Sequence, residues 1–100
     1  MKLNKEEIKK IIPHRDPMLL IDEITEHDPG VSIKGSYTVR EDWDIFRGHF
    51  PDAPVFPGVL TVECMAQASD VLLCSQERFR GLTPFFIGID RVSLKAPVRP

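Results

Sequence analysis

The sequence predicts a single α+β domain in which one long helix packs against antiparallel β structure. Three observations support this prediction. Two apolar-rich stretches flank turn residues at 28–30, a proline-rich loop leads into a helical stretch at 58–78, and an alternating pattern returns at 83–96. With 42% apolar and 28% charged side chains, 100 residues can form one hydrophobic core, so we expect one domain over 1–100.

Composition narrows the classes of function. Thirteen Lys and Arg face fifteen Asp and Glu, and the resulting net charge of -2 provides no basic field for nucleic acid. No apolar run reaches the roughly 18–20 residues of a membrane span, and the charged amino-terminal residues do not resemble a signal peptide. Cys64 and Cys74 lie ten residues apart in a predicted helix, too far for a disulfide, so we expect free thiols and a cytoplasmic location.

The first elements follow from capping and turn chemistry. Asn4 and Glu7 fit a capping box, which predicts a short amphipathic helix over 4–12 that Pro13 ends. The stretches 18–27 and 31–40 read as strands joined by Asp-Pro-Gly, which predicts an antiparallel hairpin.

The central region combines a stiff loop with a long helix. Three prolines between Gly48 and Gly58 exclude regular structure, whereas 58–78 has no further proline or glycine after its first residue. The predicted helix is apolar around most of its circumference, apart from one polar stripe: Glu63, Gln67, Asp70 and Glu77. A helix of about 30 Å needs more cover than three strand candidates supply. We therefore expect further strands after Pro100 and a partner subunit.

The proline loop and the start of the long helix carry the residues best suited to chemistry. His49 lies beside a rigid bend and can accept a proton near neutral pH. The first amides of the helix, at Gly58 and Val59, have no acceptor within the helix and can bind an oxyanion. Glu63 follows on a mostly apolar element, where desolvation favours the protonated form that a general acid needs.

A base, an acid and an oxyanion site suit elimination of water beside a carbonyl. From the residues alone, two structural interpretations stay open. His49 can be an ordinary surface histidine, and Glu63 can be a solvated member of the polar stripe.

Three ordered motifs cover nearly the whole chain and resemble the (3R)-hydroxyacyl-[acyl-carrier-protein] dehydratases, the FabZ-like enzymes of the hotdog fold. The first motif is Pro13-His14-Arg15-x-Pro17-x-Leu19-Leu20-Ile21-Asp22. The second is Gly48-His49-Phe50-Pro51-x-x-Pro54-x-x-Pro57-Gly58-Val59-Leu60-x-x-Glu63-x-Met65-Ala66-Gln67. The third joins Phe86-Ile87-Gly88-Ile89-Asp90 to Lys95-Ala96-Pro97-Val98-x-Pro100.

The resemblance implies a hotdog domain, a long central helix wrapped by an antiparallel sheet, acting as a hydro-lyase in fatty acid biosynthesis. It implies that His49 and Glu63 from opposite subunits of a homodimer are catalytic and that the Gly58 amide polarises the thioester carbonyl. The substrate would be carried on the phosphopantetheine of acyl carrier protein, with no metal or diffusible cofactor. We also expect substrate contacts from the following residues: Phe50, Phe56, Pro57, Val59 and Gln67.

The chain also departs from the family pattern. The family continues after Pro100 with further strands, so the domain is expected to be truncated on its carboxyl-terminal side. Cys64 replaces a usual Ala, and Ser69-Asp70 replaces a smaller, more apolar pair. We expect Asp70 to face solvent, His14 and Arg15 to pin backbone, and Asp22 to be structural. Two alternatives to a dehydratase remain, a hotdog acyl thioesterase and a non-catalytic subunit that binds acyl chains or carrier protein.

Overall fold

A computed structural model describes residues 2–100 of the chain and confirms the α+β class. The elements are helix α1 (Lys5–Lys9), strands β1 (Glu23–Asp28) and β2 (Ser32–Ser36), a 3₁₀ turn (Asp44–Arg47), helix α2 (Gly58–Cys74) and a second 3₁₀ turn (Glu77–Phe79). No helix formed by residues 2–100 is both long enough and apolar enough to cross a membrane.

Helix α1 confirms the predicted capping box but is shorter than 4–12. The Asn4 side chain accepts a hydrogen bond from the Glu7 amide at 2.9 Å, and the Glu7 carboxylate accepts one from the Asn4 amide at 3.0 Å. The guanidinium of Arg15 donates to the carbonyls of Lys9, Ile12 and His14, which holds the chain in a turn after the helix. Arg15 therefore pins backbone, as predicted.

The hairpin is confirmed, with strands shorter than the predicted stretches. Strands β1 and β2 pair antiparallel from Glu23 opposite Ser36 to Asp28 opposite Ser32. The Asp22 carboxylate accepts a hydrogen bond from the Thr38 amide at 2.6 Å and lies 3.4 Å from the Lys5 ammonium, so its role here is structural. Residues 18–21 are not part of the strand, because this segment turns to contact α2.

Helix α2 begins at Gly58 as predicted but ends at Cys74 rather than at residue 78. The Ser75 hydroxyl donates to the Leu72 carbonyl at 3.1 Å, and the Ser75 amide caps the last turn. Only Gln67, Val71 and Cys74 are buried along its length. The predicted burial on most sides is thus not supplied by residues 2–100, which cover one face of the helix.

Two apolar clusters form the core, one on each side of the segment that precedes β1. The larger joins α1, the hairpin and α2: Leu3, Ile8, Ile12, Leu19, Ile21, Ile24 and Val71. The smaller cluster, Leu20, Phe46 and Phe56, supports the loop that leads into α2. The core therefore fixes both ends of the loop that carries His49.

The β region predicted over 83–96 is wrong for the described chain. Residues 80–97 form no strand, and the nearest β contact is an isolated bridge between Phe56 and Val98. An alternating pattern can only become a strand where a neighbouring backbone offers hydrogen bonds. Within residues 2–100, this segment pairs with neither strand of the two-stranded sheet.

Candidate active site

The start of α2 presents unpaired amides, as the proline loop predicts. The amides of Gly58 and Val59 donate to no acceptor among residues 2–100, because the first helical bonds run to Pro57 from Leu60 and Thr61. A Cβ atom at position 58 would meet the end of the Leu94 side chain, which is 52% exposed and can move aside.

The imidazole of His49 is held in one tautomer by the proline loop. Its Nδ1 atom lies 2.8 Å from the Val55 carbonyl oxygen, and a carbonyl can only accept, so Nδ1 carries the proton. The ring of Phe50 stacks on the imidazole with 4.1 Å between the ring centroids. Nε2 is therefore left with a lone pair that can accept a proton.

Glu63 is held by Gln67, one turn further along α2. The Gln67 amide nitrogen donates to Glu63 Oε2 at 2.7 Å and to the Met18 carbonyl at 2.8 Å, while its oxygen accepts from the Leu20 amide at 2.7 Å. Gln67 is 0% exposed, so these bonds are sheltered from water. Glu63, Gln67 and Asp70 of the predicted polar stripe consequently face the segment 14–20, whereas Glu77 lies beyond α2 and is exposed.

His14 also lies beside Glu63, which the sequence did not indicate. Its Nε2 atom is 3.8 Å from Glu63 Oε2 and 3.9 Å from Asp70 Oδ2. The expectation that Asp70 faces solvent is wrong, since its side chain is only 22% exposed. A cavity of about 170 Å³ opens beside this group, lined by His14, Glu63, Ala66, Asp70, Pro84, Phe85 and Phe86.

The two predicted catalytic side chains do not meet within one copy of the chain. Among residues 2–100, no hydrogen bond or ion pair joins His49 to Glu63. His49 contacts its own loop, whereas Glu63 contacts Gln67 and His14. Such a separation is what a site shared by two subunits requires, and the shared site stays a prediction.

The predicted substrate-contact residues fall into two groups. Phe50 and Val59 are 51% and 76% exposed and can touch a ligand directly. Phe56 and Pro57 are buried, and Phe56 packs in the smaller core cluster. With Gln67 buried as well, these three residues lie behind the accessible surface, and their contacts with substrate remain predictions.

Burial and charge shift the ionisation of two side chains near Glu63. Burial raises the pKa of Asp70, the negative charge of Glu63 raises it further, and His14 partly opposes both effects. Burial also raises the pKa of the Cys64 thiol to about 11, with a further contribution from the neighbouring Glu63 charge. These shifts identify this part of α2 as a poorly solvated surface.

An apolar groove runs along the side of α2 that carries Cys64, with a volume of about 350 Å³. Its lining comes from α2, from β2 and from the segments beside β2: Leu20, Ile21, Ile33, Gly35, Ser36, Tyr37, Cys64, Met65, Ala68 and Ser69. Cys64 and Cys74 are both free thiols, as predicted. Within residues 2–100, no group of three His, Cys, Asp or Glu side chains is arranged to hold a metal ion.

Comparison with known proteins supports the family suggested by the motifs. A family model described as a FabA-like domain matches residues 12–100. The match covers α2, the proline loop and the hairpin, and thus all the candidate site residues.

Several curated proteins are similar over most of the chain, and each is named 3-hydroxyacyl-[acyl-carrier-protein] dehydratase FabZ. The Caldicellulosiruptor saccharolyticus protein is 52% identical over 93 residues, which are 93% of this chain and 66% of that protein. The Clostridium beijerinckii protein is 49% identical over 100 residues, covering 98% of this chain and 70% of that protein. The Oenococcus oeni protein is 46% identical over 94 residues, covering 94% and 68%. The chain thus spans about two thirds of the length of these relatives.

Proposed function

Because this chain belongs to the FabA-like domain family, we propose that it removes water from a (3R)-hydroxyacyl thioester on acyl carrier protein, giving a trans-2-enoyl thioester in fatty acid biosynthesis. The membership confirms the predicted α+β hotdog class. The predicted enzyme class, a hydro-lyase, is that of the named relatives.

The hydrogen bond from His49 Nδ1 to the Val55 carbonyl is the observation that carries the proposal. It leaves Nε2 unprotonated, and this nitrogen takes the proton from C2 of the substrate. The electron pair of the broken C–H bond delocalises toward the thioester carbonyl. The amide of Gly58, unpaired at the start of α2, donates to that oxygen as negative charge develops.

Glu63 supplies the proton that the leaving group needs. Gln67 occupies Oε2, so Oε1 is the oxygen that can donate to the hydroxyl on C3. As the C3–O bond breaks, the hydroxyl leaves as water and the C2–C3 double bond forms. His49 ends with one additional proton and Glu63 with one fewer, and transfer of this proton restores the starting state.

Two copies of the chain are required for this mechanism. The imidazole of His49 and the carboxylate of Glu63 belong to separate surroundings in one copy, so we assign the complete site to the interface of a homodimer. The acyl chain and phosphopantetheine arm reach it without a diffusible cofactor. The free thiols Cys64 and Cys74 support a reducing, cytoplasmic location.

Replacement of His49 by Ala tests the base. We expect kcat for dehydration of a (3R)-hydroxyacyl thioester to fall by about 10²–10⁴-fold, because proton removal from C2 loses its acceptor. The measurement follows enoyl thioester formation by absorbance and confirms the fold by circular dichroism. His27→Ala is the matched control, since His27 is buried against Ser75 away from Glu63 and should retain turnover.

The same assay separates the alternatives. Release of free thiol in place of enoyl product would show an acyl thioesterase. Binding of acyl carrier protein without any turnover of the unmodified chain would show a non-catalytic subunit. Near-normal dehydration by His49→Ala would show that His49 is not the base, even if the chain is a dehydratase.

A further inference from the structure

His14 reaches Glu63 from outside α2, in the turn that follows α1. Glu63 and Asp70 are seven residues apart, so they lie on the same face of the helix about 10 Å apart along its axis. The Nε2 atom of His14 stands between them, 3.8 Å from Glu63 Oε2 and 3.9 Å from Asp70 Oδ2. The three side chains are about four-fifths buried, with 17%, 17% and 22% exposure for His14, Glu63 and Asp70.

We propose that His14 is a positioning residue, which holds the Glu63 carboxylate in place by bridging it to Asp70. The inference rests on the proposed function, in which Glu63 is the acid. It adds a role for two residues, His14 and Asp70, that the reaction scheme does not use.

The surroundings of His14 leave Nε2 as its point of interaction. The Nδ1 atom is buried and has no hydrogen-bond partner among residues 2–100. The backbone on both sides is anchored, because Arg15 donates to the carbonyls of Ile12 and His14. The imidazole is thus carried on a fixed turn and faces α2.

The charged groups around the imidazole are few. Helix α2 contributes Glu63 and Asp70, and the adjoining turn contributes Arg15, whose guanidinium is directed at backbone carbonyls. The segment 80–100 that follows the second 3₁₀ turn, here called the tail, covers the same cavity with Pro84, Phe85 and Phe86, none of which ionises. The Nε2 atom of His14 therefore lies within 4 Å of two carboxyl groups, whereas the neighbouring Arg15 guanidinium is already bonded to backbone carbonyls.

Bridging has a direct consequence for the assigned acid. Gln67 donates to Glu63 Oε2 from one side, and His14 approaches the same oxygen from another. Both contacts are made to Oε2, so Oε1, which has no hydrogen-bond partner among residues 2–100, is the oxygen assigned to the substrate hydroxyl. Asp70 contributes by holding His14 and is assigned no contact with substrate. Neither His14 nor Asp70 takes part in a proton-transfer step.

The ionisation of Asp70 reports the bridge without any assay of activity. Its pKa is raised by burial and by Glu63 and lowered by His14. The pKa of Asp70, measured by a carbon-detected NMR titration of its carboxyl group, should therefore shift in opposite directions in two variants. His14→Gln should raise the pKa of Asp70, and Glu63→Gln should lower it. His27→Gln, at the other buried histidine with an unpaired Nδ1, should leave it unchanged.

Activity then tests the positioning role. We expect His14→Gln to lower kcat by about 10-fold, as is typical for residues that orient another functional group, with little change in KM. The pH profile of kcat should change shape, whereas a loss of stability alone would leave it unaltered. Asp70→Asn, which retains the His14 side chain but removes the carboxylate that holds it, should alter the profile in the same sense, and Asp70→Glu should restore part of it.

The outcomes are distinct. Unchanged titration of Asp70 together with an unchanged pH profile in His14→Gln would overturn the inference, even if Glu63→Gln were inactive and the proposed function stood. Absence of dehydration by the unmodified chain would refute the proposed function. The pKa shifts of Asp70 in His14→Gln and Glu63→Gln would still decide whether His14 bridges Glu63 to Asp70. If His14→Gln does not fold, the profile of Asp70→Asn decides the same question.

Discussion

At the scale of single residues, hydrogen-bond geometry defines the tautomer and the partners of side chains that the sequence identifies only as candidates. The motif residue His49 was predictable because a histidine in a rigid loop can act as a base, but its tautomer depends on the Val55 carbonyl six residues later. Gln67 is predicted to contact substrate, and its observed bonds to Leu20, Met18 and Glu63 show in addition that it holds the Glu63 carboxylate. Such partners, 47 and 49 residues away for Leu20 and Met18, have no signal in local sequence.

Cys64 provides a test of desolvation at this scale. Burial raises its pKa from the ordinary 9.0 to about 11. Alkylation requires the thiolate, so at about pH 8 the folded protein should react about 100-fold more slowly than the unfolded chain. A thiol whose pKa rises on folding stabilises the fold fully below its unfolded pKa, and this contribution is lost as the pH rises from 9.0 toward 11.

The measurement is the rate of iodoacetamide labelling at Cys64, followed by peptide mass spectrometry with and without urea. Cys74, which is 3% exposed, serves as the internal comparison because burial shields it as well as raising its pKa. Equal rates for folded and unfolded Cys64 would contradict the assigned desolvation.

At the scale of elements, capping and turn residues predicted where each helix begins more accurately than where it ends. The capping box of α1 and the Pro57-Gly58 start of α2 follow from residues adjacent in sequence. The end of α2 at Cys74 depends on the Ser75 hydroxyl, which binds the Leu72 carbonyl and lies 3.3 Å from His27 Nε2 on β1. The sequence pattern alone therefore overestimates the length of this helix, which ends in local bonds of Ser75 to the last turn.

Gly58→Ala tests the function of the first turn of α2. The added Cβ would meet the end of the Leu94 side chain, which is 52% exposed and can move, so we expect the free energy of unfolding to change by less than about 1 kcal/mol. Dehydration should nevertheless fall by about 10²-fold, because the Cβ would stand beside the amide assigned to the thioester oxygen.

The double variant Gly58→Ala with Leu94→Ala separates the two causes. It removes the collision and leaves the Cβ beside the amide. Recovery of activity in the double variant would show that displacement of Leu94 had caused the loss, and the oxyanion role of Gly58 would be refuted. Urea unfolding and the enoyl assay supply the two readouts.

At the scale of the whole molecule, the tail leaves a large apolar surface unburied. The radius of gyration of the whole chain, 14.3 Å, exceeds the roughly 13 Å of a compact 100-residue domain. Phe85 is 83% exposed, Ile87 is fully exposed, and Ile89 and Leu94 are more than half exposed. An apolar alternating segment without backbone partners is suited to pair with another copy of the chain, which agrees with the dimer required by the proposed site.

Paired substitution of Phe85 and Ile87 by Lys tests this role of the tail. We expect the unmodified chain to sediment as a dimer and the variant to sediment as a monomer at the same concentration, because two charges would oppose burial of the segment. Val31→Lys is the matched control, since Val31 is 72% exposed in the hairpin turn and outside the tail. An unchanged sedimentation profile of the Phe85 and Ile87 variant would show that dimers form elsewhere.

The sequence alone determined the α+β class, the order of α1, the hairpin and α2, and the candidates His49, Gly58 and Glu63, because these follow from capping, turn chemistry and motifs of adjacent residues. Only the tertiary structure placed His14 and Asp70 beside Glu63, buried Gln67, and left residues 83–96 without a strand. The physical reason is the distance along the chain between the residues that interact. Local propensity decides which backbone conformation a segment favours, whereas burial, ion pairs and strand pairing need partners that only the folded chain brings close.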